Sequence, residues 1–251
     1  MISGLNGSGS DVDEDAEGNV VSFPSKHERQ KAAKEKQREE RAHQKSLKEP
    51  MFNLPPVTQT LIGVIAIWYL LLEGIGFYDP NLRYALYEYL GFIPGAFTGQ
   101  VTFQFYHLLG VVFYIFLHGS WLHFLMNALM LTAFGAGVER MVGARHMLEV
   151  FFISSLAGIA AHFLFYMTST EPVIGASGGI SGIFGAAVVY LHARGMLGRS
   201  KYGIWPFIIL WVGISVLFGL FGSGFTGGAT VAWIAHLGGF FAGIVMAKRR
   251  I

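Results

Sequence analysis

The chain has 251 residues, 53% of them hydrophobic and only 14% charged, with no cysteine and a formal net charge of +2. A mean hydropathy of +0.47 excludes an ordinary soluble domain and calls for a lipid bilayer, with no nucleic-acid partner. The missing thiols exclude disulfides, thiolate catalysis and cysteine-ligated metals.

The low net charge conceals two unlike regions, because nine of the 18 Lys and Arg residues precede Pro50. Residues 1–50 carry an acidic run, DVDEDAE, and then a basic one. They lack both the apolar core of a secretory signal and the acid-poor character of a transit peptide. They read as a disordered or loosely helical cytosolic extension. Its basic part can touch anionic lipid, although alternating Lys, Arg and Glu is the usual pattern of a solvated face. Residues 51–251 form the membrane domain.

A helix crossing a bilayer needs roughly 20 consecutive, mostly apolar residues. Six stretches qualify: Val57 to Phe77; Trp121 to Phe134, lengthened at its start by FLHGS; Met147 to Tyr166; Gly178 to His192; Trp205 to Phe221; and Val231 to Ala247. The segment before the second, FQFYHLLGVVFYIFL, makes that run too long for one upright span. It is expected at the interface or as a separate packed piece. With a cytosolic amino terminus, Arg140, Arg145, Arg194, Arg199, Lys201, Lys248, Arg249 and Arg250 fall inside, while the outer loops hold only Arg83. This bias predicts an all-α membrane protein, a six-helix bundle with both termini cytosolic. In GAGVERMVGARH, Glu139 and Arg140 read as a structural pair closing a helix end.

Ionisable residues inside a membrane are costly and are functional candidates by default. Here they are nearly all histidines. His118, His123 and Asn127 lie in HGSWLHFLMN, His162 in the third stretch, His192 at the end of the fourth, and His236 in AWIAHLGGFFAG. Ser177 opens the fourth stretch within GASGGISG. In the expected topology Ser177, His236, His118 and His123 lie toward the same external face. A hydroxyl is a weak nucleophile until a base takes its proton, and histidine is the usual base.

Helices in lipid approach closely only where side chains are small. Gly178, Gly182 and Gly185 on one stretch and Ala235, Gly239 and Gly243 on another supply such stripes. Close backbones of that kind bring Ser177 within hydrogen-bond reach of His236. Ser177 at a helix start also leaves unpaired N–H groups for a developing oxyanion. His123 and Asn127, spaced i and i+4, share a helix face and can add donors, whereas His118 is turned off that face. No acid accompanies His236, so the arrangement reads as a Ser and His dyad.

Other readings compete. A GxSG tetrad alone is ordinary helix packing, and a lone intramembrane histidine is ordinarily a hydrogen-bonding contact, the class to which His162 and His192 are assigned. A metal held by His118, His123 and His236 lacks both the HExxH spacing and an acid. No metal or other cofactor is expected. A small transporter would need polar residues through the full depth, and here they cluster near one face.

Taken together, HGSWLHFLMN, GASG and AHLGGFFAG, with GVER as a weaker fourth motif, resemble the rhomboid intramembrane serine proteases over roughly residues 55–250. The resemblance implies cleavage of transmembrane protein substrates, with Ser177 as nucleophile and His236 as general base. His123 and Asn127 would be the side-chain part of the oxyanion hole, beside the Gly175 and Gly178 that flank the serine, with His118 structural. The alternative is a catalytically silent relative that binds membrane clients. The chain departs from the family pattern twice: VTFQFYHL lacks a Trp-Arg pair, and Ser181 stands where some relatives place a tyrosine against the catalytic histidine. The loop FGSGFTGGAT, with Gly222, Gly224, Gly227 and Gly228, reads as a movable lid, and the aromatic-rich fifth stretch as a side gate or a lipid-facing helix. The absence of further spans and of a transit peptide favours a bacterial cytoplasmic membrane.

Overall fold

The structure, a computed structural model, describes residues 12–14, 20–22, 26–48, 54–197, 202–221 and 232–251. It divides into two compact units, Met1–Asn53 and Leu54–Ile251. In the first, β1 (Val12–Glu14) pairs antiparallel with β2 (Val20–Ser22), Asp13 opposite Val21. The β-branched valines suit extended backbone. There follows α1 (Lys26–Lys48), rich in the Lys, Glu, Gln, Arg and Ala that favour helix, its described side chains all exposed.

Among its described residues the second unit is helical, as the apolar stretches predict. Helix α2 (Pro56–Tyr78) starts on a proline, whose fixed φ suits a first turn. Next comes α3 (Pro80–Leu90), capped by Asp79, whose Oδ1 accepts from the Asn81 and Leu82 amides at 2.9 and 3.1 Å. The FQFYHLLGVVFYIFL segment forms a separate short helix, α4 (His107–Phe113), and one 3-10 turn over Tyr114–Phe116.

The second apolar stretch differs from its expected bounds. FLHGS does not lengthen it, because Ser120 is extended and its hydroxyl accepts from the His123 amide at 3.2 Å, a cap that starts α5 (Trp121–Met130). Instead the helix continues at its other end, through a π-turn over Leu131–Gly135 into α6 (Ala136–Val142), as one 22-residue element. It stops at Gly143, whose φ of 88° breaks the helix.

Then follow α7 (Ala144–Phe165), α8 (Ser177–Ala193), α9 (Trp205–Phe221) and α10 (Trp233–Lys248). By length and composition three elements suffice to cross a membrane, namely α2, α5 through α6, and α7, while α8, α9 and α10 are apolar but shorter.

The core lies where α7, α8 and α10 meet. A Cβ on Gly239 would run into the backbone carbonyl of Gly178, and one on Gly243 into that of Gly182. The two helices therefore touch backbone to backbone along the two small-residue stripes, the close approach expected of them. Phe151, Ile180, Ile183 and Phe240 close the remaining space. Glu139 is buried, but its described bonds serve α2. Its carboxylate accepts from the amides of Val57 at 3.0 Å and Thr58 at 2.7 Å and from the Thr58 hydroxyl at 2.7 Å. The expected structural role thus takes the form of an anion at another helix's start, where unpaired N–H groups and the dipole favour it.

Candidate active site

The site is assembled by a chain segment that crosses from α7 to α8. Phe92, after α3, exchanges two backbone hydrogen bonds with Val173, at 3.0 and 2.8 Å. Two residues later the Gly175 amide donates to the Tyr114 carbonyl at 2.8 Å. Gly175 has a φ of 114°, a conformation that L side chains rarely adopt. A Cβ there would also lie 2.7 Å from Nε2 and 2.8 Å from Cε1 of His123. Glycine is needed on both counts, for the turn into α8 and for the ring against it.

Ser177 is the first residue of α8. No side chain caps this end, so the first amides of the helix have no intrahelical partner. Four residues into α10 stands His236, and its Nε2 lies 2.8 Å from Ser177 Oγ. The Gly178–Gly239 contact explains the closeness: one glycine adjoins the serine and the other follows the histidine by three residues. Among the described residues no carboxylate hydrogen-bonds His236.

His123 flanks Gly175 on the same side, and the His118 ring packs on it with centroids 4.8 Å apart. His118 is fully buried, 6.5 Å from the Tyr69 ring and 6.1 Å from that of Phe124, and its Nε2 has no described hydrogen-bond partner. Its carbonyl accepts from the Tyr87 hydroxyl at 2.8 Å, which ties α3 to the site. Asn127 is buried one turn along from His123 and donates through Nδ2 to the His123 carbonyl at 2.8 Å. The described contacts thus bring together Ser177, His236, Gly175 and His123, with His118 behind them. Asn127 bonds within its own helix. Ser181 turns its hydroxyl back onto the Ser177 carbonyl at 2.7 Å.

Two other histidines stand apart. His162 stacks on Tyr166, centroids 4.9 Å apart, and His192 is exposed. The glycines of the expected lid, Gly222, Gly224, Gly227 and Gly228, lie outside the described residues. Sequence reasoning missed Tyr114, which accepts from Gly175 and donates its hydroxyl to the Ser155 carbonyl at 2.8 Å. In an aromatic-rich segment no spacing distinguishes it from its neighbours.

The family described as the Rhomboid domain matches residues 102–250. Over 129 residues the chain is 35% identical to Rhomboid protease GluP of Bacillus subtilis (strain 168), covering 51% of this chain and 24% of that protein. It is 28% identical over 137 residues to Putative rhomboid protease YdcA of the same organism, covering 53% and 62%. To Rhomboid-like protein 15 of Arabidopsis thaliana it is 27% identical over 176 residues, covering 62% and 40%. The matched part thus spans less than two thirds of each relative's own length.

Proposed function

The chain belongs to the rhomboid family of integral membrane proteins, and from that premise we propose that it is an intramembrane serine endopeptidase acting through Ser177 and His236. The observation that carries the reading is the 2.8 Å approach of Ser177 Oγ to His236 Nε2. At that distance a neutral imidazole with a free Nε2 takes the hydroxyl proton as Oγ attacks the carbonyl carbon of a substrate peptide bond. The carbonyl oxygen becomes an oxyanion, held by the unpaired amides at the start of α8 and by His123. Asn127 has two amide hydrogens, one given to the His123 carbonyl, and the second is available to the oxyanion.

When the tetrahedral species collapses, the C–N bond breaks and His236 returns its proton to the leaving amine. An ester on Ser177 remains. Water then attacks the ester, His236 takes a proton from it, and the proton goes back to Oγ as the acid product leaves. No third residue is required for these steps, although a dyad lacks the carboxylate that orients the base in a triad. Here the orientation comes from the α8–α10 contact, which fixes both backbones.

In this reading the six apolar helices are six spans with both ends cytosolic, in a bacterial cytoplasmic membrane. The substrates are transmembrane proteins cut near the external face. A helix hides its own peptide bonds, so helix-weakening residues in the substrate favour cleavage. Helix α9, held at its inner face by side chains such as Ile208 and Trp211 rather than by backbone contact, is the side gate. The alternative of a silent client-binding relative has one point in its favour, the name Rhomboid-like protein 15. A serine-reactive fluorophosphonate separates the two readings. Labelling of the wild type in detergent that disappears in Ser177→Ala and His236→Ala supports the protease, and labelling that persists in Ser177→Ala refutes it.

A further inference from the structure

Toward the other end of α8, where Tyr190 lies about 20 Å from Ser177 at 1.5 Å of rise per residue, a second polar cluster has no part in the proteolytic reading. His146 is buried, with Nε2 2.6 Å from the Tyr190 hydroxyl and Nδ1 3.1 Å from Glu149. Glu149 also takes a bond from Arg145 at 3.0 Å. Tyr190 is thus held from behind, and it lines a cavity of about 350 Å³ between the ends of α6, α8 and α10. Arg194 and Arg250 line the same cavity, whereas no Asp or Glu does.

The two arginines differ in what they already serve. Arg194 donates through Nη2 to the Met141 carbonyl at 2.8 Å, which satisfies the end of α6. The Arg250 amide donates to the Ala247 carbonyl at 3.1 Å, but its guanidinium makes no hydrogen bond or ion pair with any described residue. The nearby acids are engaged elsewhere, Glu149 with His146 and Arg145 and Glu139 with α2. A concave site with two planar forks, a fixed phenol and no side-chain acid matches an oxyanion with several acceptor oxygens.

We propose that this cavity is a phosphate-binding site, recognising a phosphate group carried by an anionic lipid headgroup or free in solution. The phenolic oxygen and the guanidinium forks surround the group, and the apolar Val142 and Ile251 at the cavity wall border the acyl region if the ligand is a lipid. The site stands apart from the serine and does not depend on its reactivity.

The test uses the full chain, purified and delipidated in detergent, with native mass spectrometry to count retained phosphatidic acid, phosphatidylglycerol or phosphatidylcholine. The wild type should retain the two anionic lipids over phosphatidylcholine. Arg250→Gln, which breaks no described internal bond, should lower that retention about tenfold, the loss of one charge-assisted contact. Arg194→Gln should lower it further, and Arg250→Lys should restore part of it. Inorganic phosphate at millimolar concentration separates the sources: it displaces the lipid if a free phosphate suffices, and leaves it bound if the headgroup and chain are both read. Equal retention of all three lipids, or full anionic retention in Arg250→Gln, overturns the proposal. Ser177→Ala should bind lipid as the wild type does, so failure of the protease reading leaves this one standing.

Discussion

Helices α10 and α9 are both neighbours of α8, yet they are held by different kinds of contact. Helix α10 lies backbone against backbone, Gly239 on Gly178 and Gly243 on Gly182, with Phe240 fully buried. Helix α9 meets the bundle through side chains, Ile208 and the Trp211 ring among them. Trp211 sits with centroids 4.7 Å from Phe184 and 6.1 Å from Phe240, and the Trp233 ring covers Gly219. Its Ile209, Leu210, Leu217 and Leu220 are exposed. Side-chain rotation can separate rings at small cost, whereas two backbones in contact have no degree of freedom to yield. A dyad therefore belongs on the first kind of interface and a movable wall on the second.

The largest effect tests the proposed dyad, whose two residues sit on the rigid interface. Ser177→Ala and His236→Ala should each lower cleavage of a model transmembrane substrate by roughly a millionfold, the scale at which a serine nucleophile or its base is lost. Residual cleavage within tenfold of wild type would remove both residues from the chemistry.

Next comes the interface itself. Gly243→Val touches neither Ser177 nor His236 but drives a branched side chain into the Gly182 backbone. It should destabilise the bundle by about 1–3 kcal/mol in a denaturant titration. It should also slow cleavage about a hundredfold, since a small displacement of a catalytic group is costly. Full activity would mean that α10 is free to shift without disturbing the dyad, and the contrast with α9 would fail.

Gly175→Ala acts on the turn rather than on the helix pair. It imposes a strained φ and pushes on the His123 ring. Cleavage should fall about a hundredfold, comparable with loss of one oxyanion donor, while the α7–α8–α10 core keeps its unfolding midpoint. A fall in midpoint as large as that of Gly243→Val would make Gly175 a folding residue instead.

The smallest effect belongs to α9. Trp211→Ala should leave fluorophosphonate labelling of Ser177 unchanged and leave substrate turnover equal to or above that of the wild type. Loss of labelling would place α9 within the rigid frame and refute its proposed role as a gate.

Much of this frame is visible along the chain because lipid restricts what a helix can contain. Apolar runs mark the helices, small residues at i, i+4 and i+7 or i+8 mark where two of them touch, and a costly histidine advertises itself among apolar neighbours. Ser177, His236 and His123 stand out for that reason, as do the stripes that align α8 with α10. Asn127 is equally conspicuous, but its amide first satisfies the His123 carbonyl, a choice that spacing alone does not reveal.

Other decisions needed the fold. The start and end of the second apolar helix turned on a single serine cap and on a glycine at positive φ, local geometries that hydrophobic periodicity does not register. Glu139 could be assigned to a structural class from its motif, but its partners lie 81 and 82 residues away on α2. Tyr114 fixes Gly175 through a backbone carbonyl, and every residue has one, so no residue type could announce it. Likewise His146 and Tyr190, 44 residues apart, meet only because α7 and α8 pack side by side. Composition determined that this chain is a helical membrane protein and which few polar residues it retains in its apolar body, since burying each one carries a free-energy cost. Which of them meet was decided by tertiary packing, because a hydrogen bond across 59 residues depends on where two glycine-lined backbones come to rest.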